Sequence, residues 1–307
     1  MSPITRWRPG ATAKITPRGP FDLRASMRFL EDFVPAGRPD AAGEPGTLRL
    51  AFPVDGCWRP AGVVARQHAD GVVELEADGD SAAEACRQAE RILSLDFDTF
   101  AFLESIRRDK IAARLAAAAP GLRPVLFHSP YEAACWAIIG QRIRTVQAAG
   151  IKRRIAERHG HRHTVDGHSI SSFPAPEALR LLERPLGLPE TKVKQLRILT
   201  GAAEQGQLDA ARLRALPADE ALTRLRKLPG IGPFSAELIL IRGVGHPDVF
   251  PRHERRLHQE MAHAYAVDAA DVPTLTHLAD AWRPYRSWVA FLFRASAARR
   301  TSRAASA

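Results

Sequence analysis

The sequence predicts a two-part protein: a small α+β unit followed by a body that is nearly all helix. Three observations predict it. Short apolar alternations between turn signals are confined to the first hundred residues. From about Asp96 onward, apolar residues recur at helical spacing. Between two of the later helical segments lies Leu228-Pro229-Gly230-Ile231-Gly232-Pro233-Phe234-Ser235-Ala236, a helix–Gly-x-Gly–helix turn.

Each element has its own signal. Thr47 to Phe52 and Gly71 to Ala77 read as strands through Leu48, Leu50 and Phe52 and through Val72, Val73 and Leu75. The turn signals Gly43-Glu44-Pro45-Gly46 and Ala69-Asp70-Gly71 lie just ahead of them. Phe21–Phe33 and Ser81–Leu93 read as helices. Residues 1–95 are therefore the expected α+β domain, 96–300 the helical domain, and 301–307 a flexible tail. In the body, Ser129-Pro130-Tyr131-Glu132 is a capping box with proline at the first helical position. It opens one long segment to about His159, with Ala134, Ile138, Val146 and Ile151 available for burial. Further helices are expected at Pro176–Glu183, Glu190–Gln205, Ala218–Lys227, Pro233–Arg242, His253–Ala264, Thr274–Ala281 and Arg286–Arg299. The hairpin occupies residues 219–243. Ala221, Leu222, Leu225 and Leu228 pattern its first helix, Pro233 opens the second, and Gly243 is the expected stop.

Composition narrows the function classes. The formal net charge is +10, and arginine greatly outnumbers lysine. That balance suits a polyanion, through counterion release and bidentate phosphate contacts. An arginine- and alanine-rich composition also follows from a GC-rich genome. Cys57, Cys86 and Cys135 are far apart and form no C-x-x-C pair. They give neither a disulfide framework nor four ligands for zinc or an iron–sulfur cluster. No run of eighteen apolar residues suggests a membrane span, and the N-terminus lacks a signal-peptide core. The expectation is a cytoplasmic, nucleoid-associated monomer with no membrane partner and no required cofactor.

A Gly-x-Gly turn that opens a helix exposes backbone N–H groups able to hold a phosphate. Gly230, Gly232 and Ser235 are the residues placed to do so. A dinucleotide fingerprint fails, because no strand precedes the turn and Ser235 stands where its third glycine would be. A Walker pattern fails, because no Gly-Lys-Ser/Thr follows. The pair His253 and His258 is five residues apart, which breaks the four-residue zincin spacing. The run His159-Gly160-His161-Arg162-His163 reads as a solvated basic loop.

The full hairpin string, followed by Asp248-Val249-Phe250-Pro251, resembles the helix-hairpin-helix DNA glycosylases. The similarity extends along the chain. Ala137-Ile138-Ile139-Gly140-Gln141, Gly187-Leu188-Pro189-x-x-Lys192 and Trp282-Arg283-Pro284-Tyr285-Arg286-Ser287-Trp288 resemble motifs of the 3-methyladenine DNA glycosylase II (AlkA-like) family, in order. Phe21-Asp22-Leu23 and Arg28-Phe29-Leu30 resemble the start of its N-terminal domain.

The resemblance implies an N-terminal antiparallel sheet and a helical body with a DNA cleft. It implies duplex DNA containing damaged bases as partner, and hydrolytic excision of a flipped base. The position of the family's catalytic aspartate is Glu254, one methylene longer; the same residue also reads as a helix first-turn carboxylate that favours the dipole. His253 is a second candidate base. The position of the Schiff-base lysine of bifunctional relatives is Phe234, which implies a monofunctional hydrolase; the family often holds a tryptophan at this hairpin position, and Phe234 keeps an aromatic face for the base pocket. A family tryptophan is replaced by Arg294, which would disfavour a cationic base. Arg142 and Ile143 are candidates for the wedge that fills the gap in the helix. Trp282 and Trp288 are expected to pack, and Arg286 to belong to a buried network. The carbonyls of Leu228, Gly230 and Ile231 would hold a monovalent cation. Two other readings stand beside this one: a glycosylase fold that binds distorted DNA without cleaving it, and a lyase that uses Lys227.

Overall fold

The computed structural model describes residues 9–32, 46–182 and 187–306. Its elements in chain order are β1 (Ala11–Ile15), α1 (Leu23–Asp32), β2 (Thr47–Pro53), β3 (Pro60–Gln67), β4 (Val73–Ala77), α2 (Ala82–Ile92), α3 (Thr99–Ile106) and α4 (Lys110–Ala117). There follow α5 (Pro130–Ile139), α6 (Thr145–His159), β5 (Arg162–Val165), β6 (His168–Ser171), α7 (Pro176–Arg180), α8 (Glu190–Glu204), α9 (Ala210–Arg214) and α10 (Ala218–Leu225). The chain ends with α11 (Pro233–Leu238), a π-helical turn (Ile239–Val244), α12 (Arg255–Tyr265), α13 (Val272–Asp280) and α14 (Arg286–Ser306). The turn residues 43–45, Phe33 and Glu183 lie outside the described residues.

The N-terminal sheet has the order β1-β4-β3-β2, with every neighbouring pair antiparallel. Leu48, Leu50, Phe52, Val63, Ala65, Val73 and Leu75 pack against Leu23 and Met27 of α1 and Ala85 and Ala89 of α2. Two strands, β1 and β3, were not expected. β1 is an edge strand with alternating half-exposed positions, so it carries little apolar signal. β3 is buried on both faces: Val63 faces the helices, whereas Val64 joins Ala51, Val165 and Ile170 in a small cluster under β5–β6. Burial on both faces removes the period-2 alternation by which a strand is recognised. The segment read as a basic loop therefore leads into a two-stranded hairpin, tied to the sheet by Asp166, which pairs with Arg49 at 2.7 Å and Arg66 at 2.9 Å.

Two larger cores build the helical body. One surrounds α5, all ten residues of which are buried. A helix apolar on every side is a central one. The other gathers Phe102 and Ile106 of α3 with Leu257, Met261, Leu275, Trp282, Trp288 and Phe293 from the chain's last helices. Trp282 and Trp288 are thus packing residues. Trp282 also donates its indole N–H to Asp109 at 2.8 Å.

The long helix expected from Ser129 to His159 is broken. Ser129 caps α5 by accepting from the Glu132 N–H at 2.9 Å, as the capping pattern predicts. α5 then stops at Ile139, and α6 restarts at Thr145. Lys192 of α8 donates its ammonium to the carbonyls of Ile139 (2.9 Å) and Gln141 (2.6 Å), which a continuing helix would have used. Arg142 sits in the left-handed region at φ 56°. The break turns Val146 outward, so it is exposed and not in the core. A second correction concerns the hairpin's end. Gly243 lies inside the π-helical turn, with no room for a Cβ against Pro130 and Ala133, and the left-handed stop is Gly245 at φ 78°. α14 runs on to Ser306, beyond the expected end at Arg299.

Arg123 joins the sheet domain to the body. Its fully buried guanidinium donates to five carbonyls: Pro20 (3.2 Å), Ser94 (3.0 Å), Phe97 (3.0 Å), Arg18 (3.0 Å) and Gly19 (3.2 Å). All five of its N–H donors find acceptors. Burial holds its pKa down at about 10, still charged at neutral pH. An ammonium offers three donors, so Arg123→Lys leaves at least two of these carbonyls unpaired. The expected cost is at least about 2 kcal/mol, at 1–3 kcal/mol per buried unsatisfied group. Urea unfolding of the variant beside wild type measures it, and Arg123→Ala should cost more.

Candidate active site and nucleic-acid interface

The hairpin is built by short-range rules. The Ile231 N–H donates to the Leu228 carbonyl at 3.1 Å, and Gly230 takes φ 82° to close the turn. Gly232 caps α11, and the first helical bond runs from the Ala236 N–H to the Gly232 carbonyl at 2.9 Å. Pro233 has no N–H, so Gly232, Phe234 and Ser235 carry the unpaired donors of this terminus. Gly232 and Phe234 are exposed, whereas the Ser235 side chain is buried and can contribute only its backbone. The two glycines differ in their surroundings. A Cβ on Gly230 would lie 2.7 Å from Gln195 Nε2 and from Ile138 Cδ1, whereas one on Gly232 meets nothing within 4 Å.

The broken helix connects to this turn. Gln141 Nε2 donates to the Gly230 carbonyl at 2.7 Å, while Lys192 holds the Gln141 carbonyl. Burial, with the nearby charge of Arg142, lowers the Lys192 pKa. Arg142 projects as an exposed residue, whereas Ile143 packs against the core around α5. The loop after α5 and the glycine turn thus belong to one hydrogen-bonded unit.

The loop from His246 to Glu254 has no regular structure, and side chains from α11, α12, α14 and the turn before α14 hold it. Arg286, at the start of α14, pairs its Nε with Asp248 at 2.6 Å and donates Nη2 to the Asp248 carbonyl at 3.0 Å. Arg283 adds a contact of 3.1 Å to the same carboxylate. Ser287 accepts from the Val249 N–H at 3.0 Å and donates to its carbonyl at 3.1 Å. From α11, the buried carboxylate of Glu237 accepts from the N–H groups of Arg252 (3.2 Å) and His253 (3.1 Å) and lies 2.7 Å from His253 Nδ1. His258 Nε2 lies 2.9 Å from the Pro251 carbonyl. Arg286 is the buried network residue that the sequence suggests. Glu237, Ser287 and His258 were missed. Glu237 gave no signal, since an isolated glutamate in an apolar helix looks like a solvent-facing residue.

Glu254 is the N-cap residue of α12, yet its side chain makes no capping bond. Its carboxylate is half-buried and pairs instead with Arg294 of α14, Oε1 to Nε, at 2.7 Å. Burial pushes the Glu254 pKa above the ordinary glutamate range. Arg294, Arg242 and His258 pull it back, and Glu237 adds to the rise. Arg242 is held between Phe29 and Phe291, at 5.2 and 5.4 Å from the ring centres. His253 points its ring toward Glu237, so it and Glu254 have separate partners. Among the described residues, no three His, Cys, Asp or Glu side chains gather to hold a metal ion. No helix there is long and apolar enough to cross a membrane.

The same architecture occurs in a 3-methyladenine DNA glycosylase from Archaeoglobus fulgidus, with a TM-score of 0.75 over 92% of this chain and 97% of that one, at 22% identity. No family model matches the chain. The sequence is 30% identical over 212 residues to a probable bifunctional transcriptional activator/DNA repair enzyme AlkA of Mycobacterium tuberculosis, covering 68% of this chain and 41% of that protein. It is 30% identical over 162 residues to a DNA-3-methyladenine glycosylase of Bacillus subtilis, covering 51% and 53%. The chain belongs to the AlkA-like family of helix-hairpin-helix DNA glycosylases. The matched region spans about half the length of these curated relatives. Within the family frame, the motif positions named from sequence fall on the hairpin, the loop after it and the start of α14.

The two hairpin glycines separate fold from contact. Gly230→Ala must adopt a left-handed conformation costing about 1–2 kcal/mol and also clash with Gln195 and Ile138, so its melting temperature should drop. Gly232→Ala, at φ −84° in open space, should melt like wild type. Any loss of DNA affinity in that variant then reports the contact face itself.

Proposed function

We propose that the protein is a monofunctional DNA N-glycosylase that flips a damaged base from duplex DNA and hydrolyses its glycosidic bond. One observation carries the reading: a half-buried carboxylate, Glu254, sits at the end of a loop fastened to the hairpin by Glu237. The hairpin supplies the phosphate contact through Gly230, Gly232 and the Ser235 N–H. The exposed, left-handed Arg142 is the wedge, and Ile143 supports it from the core. When the glycosidic bond breaks, positive charge develops on the sugar, and a preorganised carboxylate stabilises it and orients the attacking water. Phe234 is half-exposed beside the hairpin glycines. It offers an aromatic face but no amine, which supports hydrolysis without strand cleavage. The carbonyls of Leu228, Gly230 and Ile231 suit a monovalent cation: the first accepts from Ile231 and the second from Gln141, and each keeps a second lone pair.

A second reading has its own observation. Arg294 engages the Glu254 carboxylate, and a site neutralised in this way suits a module that recognises distorted DNA without cleaving it.

Base release from a panel of damaged duplexes, with DNA binding measured alongside, separates the two. Glu254→Gln should lower release by about 10²–10³-fold while binding stays near wild type. Equal release by the variant would remove Glu254 from the chemistry. The pH profile gives a second check. Glu254 acts as the carboxylate, so release should fall on the acid side, with a midpoint above the ordinary glutamate value. Arg294 favours the ionised form, so Arg294→Gln should move that midpoint further up.

A further inference from the structure

The positive charge of the chain is not spread evenly. From Arg142 to Arg162 the sequence carries seven Lys and Arg side chains and a single carboxylate, Glu157, so these 21 residues hold +6 of the net +10. The other 286 residues hold +4. An arginine-rich composition raises the charge everywhere and does not concentrate it.

The fold turns most of this charge outward. Ala148, Ile151 and Ile155 bury one side of α6. Lys152, at the edge of that side, turns in to Glu132 at 2.5 Å. Arg142 and Arg144 of the loop before α6, Arg153, Arg154 and Arg158 of its outer side, and Arg162 at the start of β5 are all exposed. β5 alternates exposed and buried positions, which points Arg162 away from the core. Glu157 lies 3.7 Å from Arg153. An exposed pair of this kind holds its partner weakly. Among the described residues, Arg142, Arg144, Arg158 and Arg162 form no ion pair.

The strip is anchored at both ends. Its first residues belong to the loop that Gln141 ties to the Gly230 carbonyl, and its last opens the β5–β6 hairpin that Asp166 ties to the N-terminal sheet. α6 covers the distance between them: 15 residues at about 1.5 Å each, or about 22 Å. Stacked base pairs rise about 3.4 Å each, so that length matches about six of them.

We propose that the exposed arginines of α6 and β5 form a second DNA-contact surface, which holds the phosphate backbone of the duplex to one side of the damaged base. The assignment rests on duplex DNA being the partner. Guanidinium groups suit this ligand: each offers a planar fork of donors to phosphate oxygens, and each contact releases condensed counterions. The glycine turn takes one point of the backbone through its N–H groups. The strip extends that grip along about half a helical turn. Phosphate contacts carry no sequence information, which suits a protein that must scan undamaged DNA for a rare target.

The test is the salt dependence of duplex binding by the full chain. Arg158→Gln/Arg162→Gln removes two charges from the end of the strip remote from the glycine turn. Arg108→Gln/Arg114→Gln removes two exposed charges after α3 and on α4, outside the strip. Melting temperatures confirm that both variants are folded. The slope of log affinity against log salt should fall by about 0.9 per lost phosphate contact, about 1.8 in the first variant, and stay at the wild-type value in the second. The advantage of wild type over the first variant should then shrink about tenfold between about 50 and about 200 mM salt. A duplex with a central tetrahydrofuran abasic-site analogue locates the surface. Shortening one flanking arm should abolish the difference between wild type and the first variant, and shortening the other should leave it. An unchanged slope in Arg158→Gln/Arg162→Gln, an equal fall in Arg108→Gln/Arg114→Gln, or a difference that survives both truncations would overturn the assignment. None of these readouts involves base release. A protein that shows them and excises nothing would defeat the glycosylase reading and leave this surface standing.

Discussion

The site depends on a loop whose backbone is satisfied by side chains. Between the π-helical turn and α12 the chain makes no regular ladder, so its N–H and C=O groups need partners from elsewhere. Arg286 and Ser287 supply them from the start of α14, and Glu237 supplies them from α11. The consequence is geometric. Glu254 is delivered to the N-cap of α12, and α14 simultaneously brings Arg294 to it, two turns beyond Arg286. α14 takes part both in fastening the loop and in forming the ion pair.

Side chains tie down the hairpin as well. Lys192 terminates α5 by occupying its last carbonyls, and Gln141 carries that restraint to Gly230. Arg142 is thereby kept in a left-handed conformation that an arginine avoids, at a cost of about 1–3 kcal/mol. Burying the Lys192 ammonium is tolerable because two carbonyls receive it.

Glu254 is a compromise between two opposing effects. Burial disfavours its charge, and Arg294 with Arg242 restores it. A carboxylate shielded in this way is weaker against a sugar cation than an unpaired one. It is also accompanied by a donor that an unpaired carboxylate would lack.

The sequence by itself determined the local features. The Gly-x-Gly turn, Pro233 at a first turn, Ser129 as a cap and the strands at Leu48–Phe52 and Val73–Leu75 follow from backbone preference and side-chain period. These are short-range constraints, legible one residue at a time. Family motifs likewise marked Glu254, Arg294 and Arg286 as residues to watch. Only the tertiary structure decided the rest. β3 lost its alternation to burial on both faces, and a helix apparently continuous from Ser129 was cut at Ile139 by a lysine fifty-three residues away. The partners of Glu237 and the pairing of Glu254 with Arg294 are contacts between separate helices. A hydrogen bond or ion pair of that kind depends on distance in space, and no spacing along the chain encodes it.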